Sequence, residues 1–292
     1  MSARVAEIPQ RETAGRAPKP NGPKRAASDL PARAGAGVAL MALALGAVWA
    51  GFYWFMAFWF IAAALVNWEW QSLVGGADLR LRVALASVAL AAGAVLSIDG
   101  EAHFAILVLG CGAVLAAFGG GWRSLWPAGG VLYAGAMLVA LCLLRVSEPF
   151  GARTILWLFA LVWGTDIMAY FGGRTIGGPK LWPRISPGKT WSGFAVGIFC
   201  GAAAGLLLAP AGSSKPALFL LGLIGGAVAQ GGDLLESAIK RRFGAKDSSH
   251  LIPGHGGLMD RLDGFIAAAV FAAIVGVARA GLDHASVGVL QW

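Results

Sequence analysis

Nine stretches of this chain are nearly free of charge and long enough, or almost so, to cross a bilayer. That alternation limits the fold more than any single motif does. A spanning helix takes about 17–25 residues, and the stretches run approximately over 34–49, 51–68, 81–98, 102–120, 127–146, 152–171, 192–211, 216–235 and 263–281. Backbone amides in lipid must be bonded within their own segment, so apolar runs of this length are read as helices. The predicted fold class is therefore all-α: a polytopic integral membrane protein of about nine transmembrane helices, with eight as the alternative count. The first two runs nearly fuse at Ala50–Gly51 and must form a tight hairpin.

Composition supports this and removes other classes. Of 292 residues, 58% are hydrophobic and 13% charged, against about 25% charged in a soluble domain. A disordered chain, an ordinary nucleic-acid-binding domain and a water-soluble enzyme are excluded, and no nucleic acid partner is expected despite the net charge of +8. The 43 glycines let membrane helices approach closely, and the 12 tryptophans suit bilayer interfaces. Cys111, Cys142 and Cys200 lie in apolar runs without CxxC spacing and read as spectator thiols.

The positive charge is distributed by topology. Residues 1–33 form a basic tail rich in proline, without the early apolar stretch of a signal peptide. With the amino terminus cytoplasmic, the tail, 69–80 with Arg82, 121–126, 172–191 and 236–262 hold 19 of the 23 Lys and Arg residues. Cytoplasmic loops carry such an excess, which places the carboxyl terminus outside; the expected localisation, not itself read from charge, is a bacterial inner (plasma) membrane. The expected organisation is the tail at 1–33, about five amino-terminal membrane helices over 34–150, and a carboxyl-terminal catalytic membrane region over 151–292. No convincing internal repeat is present, which weakens an inverted-repeat transporter reading. The amino-terminal half looks chemically quiet, and Glu69, flanked by Trp68 and Trp70, reads as an interfacial residue in an aromatic belt.

Unusual residues gather in two loops, 172–191 and 236–262, and the helix ends that feed them. Asp166 lies near the end of an apolar run, where a carboxylate is costly without water, a cation or a partner. Arg174, Lys180, Arg184 and Lys189 follow, interleaved with glycine and proline; backbone N–H groups exposed by glycine and nearby cations together cradle phosphates. The stretch is not a P-loop, because Pro183 stands where that pattern needs glycine. From composition alone a phosphate loop and an ordinary basic inside loop remain equally open. Further on, Asp233, Glu236 and Lys240 share one face if the eighth helix continues past the bilayer, and Asp260 and Asp263 form an i, i+3 pair where the ninth begins. Carboxylates from two helix ends at one depth suit a hard divalent cation, and the surrounding Lys and Arg suit phosphate. The bland alternative is salt bridging, with Glu236–Lys240 the leading structural pair. His250 and His255 lack partners for zinc and read as loop contacts.

At SAIKRRFGAKDSSHLIPGHGGLMDRLD, positions 237–263, the chain resembles the carboxyl-terminal motif of phosphatidate cytidylyltransferases, also called CDP-diacylglycerol synthases. Ser237, Lys240, Arg241, Lys246, Asp247, Pro253 to Gly257, Asp260, Arg261 and Asp263 stand in the family's order, and GDLLES at 232–237 matches the element before it. The likeness reaches back to Asp166 and to SPGKT at 186–190, where two positions depart: Gly188 replaces a lysine and Ser192 a glutamate. The resemblance implies transfer of the cytidylyl group from CTP to phosphatidate, giving CDP-diacylglycerol and pyrophosphate. It also implies Mg²⁺, a homodimer, and a polar cavity open to the cytoplasm, with membrane lipids as partners. Asp233, Asp260, Asp263, Lys240 and Lys246 are the expected catalytic residues, and Asp166 joins the three aspartates as a candidate metal ligand. Ser186, Lys189, Thr190, Arg241, His255, Gly256, Gly257 and Arg261 are the candidate nucleotide and phosphate contacts. A CTP-dependent kinase or cytidylyltransferase for another lipid or polyprenyl substrate, a transporter using the intramembrane carboxylates, and a silent scaffold are the alternatives.

Overall fold

A computed structural model describes residues 30–119, 125–252 and 256–292, with side chains from residue 35 onward. The basic stretch ahead of residue 30, Arg123 and Pro253 to His255 lie outside the described residues. The described chain is almost entirely helical. In order it forms α1 (Leu30–Trp49), α2 (Phe52–Val74), α3 (Leu79–Ile98), α4 (Ala102–Gly119), α5 (Trp126–Val146) and α6 (Gly151–Ile176). A short antiparallel ribbon follows, β1 (Lys180–Trp182) and β2 (Ser186–Thr190), then α7 (Trp191–Gly205), α8 (Lys215–Arg242), α9 (Met259–Ala280) and α10 (Ala285–Leu290). Among the described residues, eight helices are long and apolar enough to cross a membrane, and Gly35–Trp49 is a shorter apolar ninth. Between α1 and α2, Gly51 adopts φ +103°, which turns the chain back within the expected tight hairpin.

Three helices run past their apolar stretches. α6 continues to Ile176 and α8 to Arg242, while α9 begins at Met259, ahead of the expected start. These extensions carry the charged residues on helical backbone. The basic stretch 180–190 is an ordered hairpin, with Lys180 opposite Thr190 and Trp182 opposite Ser186. Thr190 then caps α7, its Oγ1 accepting the Gly193 N–H at 3.1 Å.

Lipid tails are as apolar as leucine, so helices in a membrane gain little from hydrophobic burial and depend on close packing. The α6–α7 crossing shows how that is met. Gly193, Gly197, Gly201 and Gly205 recur every four residues along α7. A Cβ at these positions would lie 2.6 Å from Ala169 O, 2.7 Å from Thr165 O, 2.6 Å from Leu161 O and 2.7 Å from Trp157 Nε1. One face of α7 is thereby laid against α6 backbone to backbone.

α5 is the central helix, with Val131, Ala134, Met137, Leu138, Leu141 and Leu144 fully buried. Beside it an aromatic stack joins three helices: Trp59 of α2 lies on Phe265 of α9 with centroids 5.0 Å apart, and on Phe159 of α6 at 6.4 Å. Phe159 continues onto Trp163 at 4.6 Å.

The bundle has two unlike ends. At one, α10 is pinned by Ser286, whose N–H donates to Ser147 Oγ at 3.0 Å and whose hydroxyl donates to Ser147 O at 2.7 Å. At the other, α2, α5, α8 and α9 converge: Trp70 Nε1 donates to Trp126 O at 2.7 Å, and Trp126 meets the Phe243 ring edge-on. The amino-terminal half is not chemically quiet there. Arg82 is fully buried and donates to Gln71 Oε1 at 3.2 Å and Gly75 O at 2.7 Å, while Gln71 Nε2 donates to Pro127 O at 2.7 Å. Trp70 is buried rather than interfacial, and Glu69 is fully inside the protein.

Candidate active site

The extended helix ends surround a cavity of about 990 Å³. Its polar side is lined by Asp166 from α6, Asp233 from α8, Asp260, Arg261 and Asp263 from α9, and Gly188 to Thr190 from the hairpin. Much of the remaining lining is apolar: Leu40 and Met41 of α1, Ile61 and Leu65 of α2, and the stacked Trp59, Phe159, Trp163 and Phe265. A ligand charged at one end and greasy at the other matches such walls.

Small residues again set the geometry. A Cβ on Gly232 would lie 2.8 Å from Asp263 O and 2.6 Å from Ala267 Cβ, so α8 and α9 cross at backbone contact beside Asp233. Asp263 is thereby within electrostatic reach of Asp233 and also of Asp166. Its Oδ1 accepts the Gly264 N–H at 2.7 Å. Asp166 accepts from Gln230 Nε2 at 3.3 Å. From the hairpin, Lys189 Nζ reaches Asp233 Oδ2 at 2.7 Å and Gln230 O at 3.4 Å. Three carboxylates from three helices thus meet at the wall of one cavity, and a lysine from a fourth element pairs with one of them.

Asp260 is held differently. Its Oδ1 meets Lys240 Nζ at 2.6 Å, and its Oδ2 accepts the Ser248 N–H at 3.0 Å and the Gly257 N–H at 2.8 Å. Lys240 Nζ also pairs with Glu236 Oε2 at 2.6 Å. Glu236 and Lys240 do share one face of α8, but Asp233, on the same face, joins the other cluster.

The remaining expected residues divide between wall and surroundings. Thr190 lines the cavity while its hydroxyl caps α7; Ser186 sits in the hairpin beyond the described lining. Arg241 and Lys246 are exposed and outside the described lining, with Arg241 Nη1 on Ala245 O at 3.0 Å. Gly256 has φ +85°, and a Cβ there would press on Asp260 Oδ2 at 2.6 Å. A Cβ on Gly257 would fall 1.9 Å from Ser248 Oγ, so no larger residue fits. His255 lies outside the described residues. Of the two departures, Gly188 has open space around it, and Ser192 donates to Gly177 O and contacts Thr190 Oγ1 at 3.0 Å, tying hairpin to helix.

Sequence reasoning missed Glu69, Gln230 and the aromatic floor. Gln230 stands three residues before Asp233 on the same helix, which is a usable signal; Glu69 is far away in sequence and offered none.

Among the described residues, no group of three or more His, Cys, Asp or Glu side chains forms a ready-made metal cage. Mg²⁺ rarely needs one: it keeps several waters and takes one or two carboxylates plus substrate phosphates. Asp233 and Asp263, hard oxygen donors facing a cavity, fit that mode of binding. Asp260 enters such a shell only by giving up Lys240 or a backbone amide.

Fold and cavity together define a class: a polytopic helical membrane protein with a charged site at one end of its bundle, built for an amphiphilic substrate. The chain belongs to the cytidylyltransferase family, whose model matches residues 31–278. It is similar to the phosphatidate cytidylyltransferase of Brucella abortus biovar 1 (strain 9-941), 52% identical over 184 residues, which cover 61% of this chain and 66% of that one. The phosphatidate cytidylyltransferase of Pseudomonas aeruginosa is 39% identical over 236 residues, 75% of this chain and 86% of its own. That of Staphylococcus saprophyticus is 45% identical over 119 residues, 40% and 46% of the two chains. The resemblance read from 163–264 therefore holds, and the chain is an integral protein of a bacterial membrane.

Proposed function

We propose that the chain transfers the cytidylyl group of CTP to phosphatidate, giving CDP-diacylglycerol and pyrophosphate. The observation that carries this reading is the mixed lining of one cavity: carboxylates with Lys189 and Arg261, together with aromatic and aliphatic side chains. Family membership and the relatives' named activity support the choice of nucleotide and lipid.

A phosphatidate oxygen forms a bond to the α-phosphorus of CTP as the bond to the bridging β-phosphate oxygen breaks, and pyrophosphate leaves. The attacking oxygen is already anionic, so the residues need only align and neutralise. Lys189 and Arg261 offset the phosphate charge at the cavity wall. Lys189 is presented there by its pair with Asp233 and is free to move onto phosphate when substrate arrives. Asp233 and Asp263 would hold Mg²⁺, with Asp166 as the third acid within reach; Asp260 and Lys240 fix the start of α9. A cation held there would supply Lewis-acid neutralisation of phosphate charge. Lys246, Arg241, His255 and Ser186 act, in this reading, as outer phosphate contacts. Acyl chains rest against the α1 and α2 side of the cavity. The amino terminus and both charged loops face the cytoplasm, and the working form is a homodimer.

The test is pyrophosphate release by purified protein in detergent, given CTP, Mg²⁺ and phosphatidate together and then with each omitted. Release that needs all three, is abolished by EDTA and yields a CDP-lipid supports the assignment. Silence with phosphatidate but turnover with a polyprenyl or other lipid phosphate would redirect the substrate. Silence with every lipid would end the reading.

A further inference from the structure

Glu69 belongs to α2, well before every residue of the family motif, yet it is fully buried at the opposite partner of that motif. Its carboxylate accepts four hydrogen bonds. Ser249 Oγ and the Leu258 N–H donate to Oε1 at 2.6 and 2.8 Å; the Met259 N–H and Ser248 Oγ donate to Oε2 at 2.6 and 3.3 Å. The donors come from both sides of the 253–255 segment. Two of them are orphan amides at the start of α9, where a negative charge is also favoured by the helix dipole.

Ser248 joins this clamp to the charged site. Its hydroxyl is on Glu69 while its backbone N–H is on Asp260. Gly257 does the same by shape: its N–H is on Asp260, and a Cβ there would stand 2.6 Å from Glu69 Oε1. The loop is therefore gripped between two carboxylates, one from its own helix and one from the amino-terminal half. A buried charge satisfied by four donors from one distant loop is an anchor, and what it anchors is the first turn of α9, which presents Asp260, Arg261 and Asp263 to the cavity.

We infer that Glu69 is a positioning residue for the reaction: it holds Ser248, Ser249 and the Leu258 and Met259 amides that open α9 in the register that aims Arg261 and Asp263 at the substrate. This rests on the cytidylyl-transfer reading for its kinetic consequence, but not for its structural one. Glutamine at 69 keeps one accepting oxygen and turns an NH₂ toward N–H donors. Aspartate keeps the charge and both acceptors on a shorter stem.

Full-length wild type, Glu69→Gln, Glu69→Asp and Ser249→Ala are compared in detergent by kcat and KM for CTP and by hydrogen–deuterium exchange. For Glu69→Gln, kcat is expected to fall by about 100-fold, the cost of a small misplacement of reacting groups, with faster exchange confined to peptides spanning 247–260. Aspartate is expected to restore part of kcat and of the protection, and Ser249→Ala to shift both slightly in the direction of glutamine. Unchanged exchange over 247–260 in a folded Glu69→Gln would overturn the proposal. So would a loss of protection spread evenly over α4 and α7, because that marks a general packing role. If Glu69→Gln does not fold, Ser249→Ala decides: wild-type exchange and kcat in that variant sink the inference. A wild type without turnover would refute cytidylyl transfer, and the exchange comparison would still decide the anchor.

Discussion

Two lysine–aspartate contacts lie two turns apart along α8, made of the same residue types at nearly the same distance. Lys189–Asp233 measures 2.7 Å and Lys240–Asp260 2.6 Å. The first keeps 19% and 33% of its side chains exposed, opens on the cavity and joins a hairpin to a helix. The second keeps 11% and 6%, shares its lysine with Glu236, and receives backbone amides on its free oxygen. Access to solvent decides what each can do. A pair at a cavity wall can exchange partners with an incoming phosphate and cation at small cost. A pair that is more deeply buried and further tied by loop amides does so only at greater cost, and loss of one partner strands charge inside the protein.

That contrast is open to attack by mutation. The largest stability effect is expected from Lys240→Met, which leaves Glu236 and Asp260 buried without their cation; loss of one partner of a buried pair costs about 3–5 kcal/mol, read as a lower midpoint of thermal unfolding in detergent. Asp233→Asn should do the reverse, leaving the midpoint nearly unchanged while kcat falls by about 100- to 1000-fold, the range for removing one electrostatic group from a reacting centre. Equal thermal losses in the two variants would erase the distinction. Lys189→Gln should be milder, lowering kcat/KM for CTP by about tenfold, as one charge-assisted contact of roughly 1.4 kcal/mol or more disappears. The smallest change is expected from Gly188→Lys, which restores the residue usual in the family: with open space around Gly188, the midpoint should move by no more than about 0.5 kcal/mol equivalent. A large effect there would mean that the hairpin is tuned more closely than its surroundings indicate.

How much of this was legible in the sequence depends on the range of the interaction. Spans and the Ala50–Gly51 hairpin followed from hydropathy and spacing, because helix periodicity is local; the continuation of α8 entered only as a condition for Asp233, Glu236 and Lys240 to share a face. Glu236–Lys240 was equally local, at i, i+4. The partition of the acids was not. Asp233 and Glu236 lie on one helical face, and they are separated by their partners: Lys189 of β2 reaches the first, while Lys240, shared with Asp260, holds the second. The loop at 180–190 read as irregular basic chain, yet Lys180 and Thr190 pair across a two-stranded ribbon. Glu69 was misread because flanking tryptophans imitate an interfacial belt. Its partners lie at 248–249 and 258–259, a separation over which one sequence carries no pairing signal.

The glycine-faced crossing of α6 and α7 has a mechanical consequence. Helices in contact largely through main chain, with few side chains between them to repack, slide or tilt against one another only by breaking that contact. Asp166 is on one of these helices, and Lys189 enters the other through Thr190, so the carboxylate and the lysine travel as a single plank. Any adjustment of the cavity then falls to parts seated by ordinary side chains, and α1, whose Leu40 and Met41 line its apolar part, is one of these.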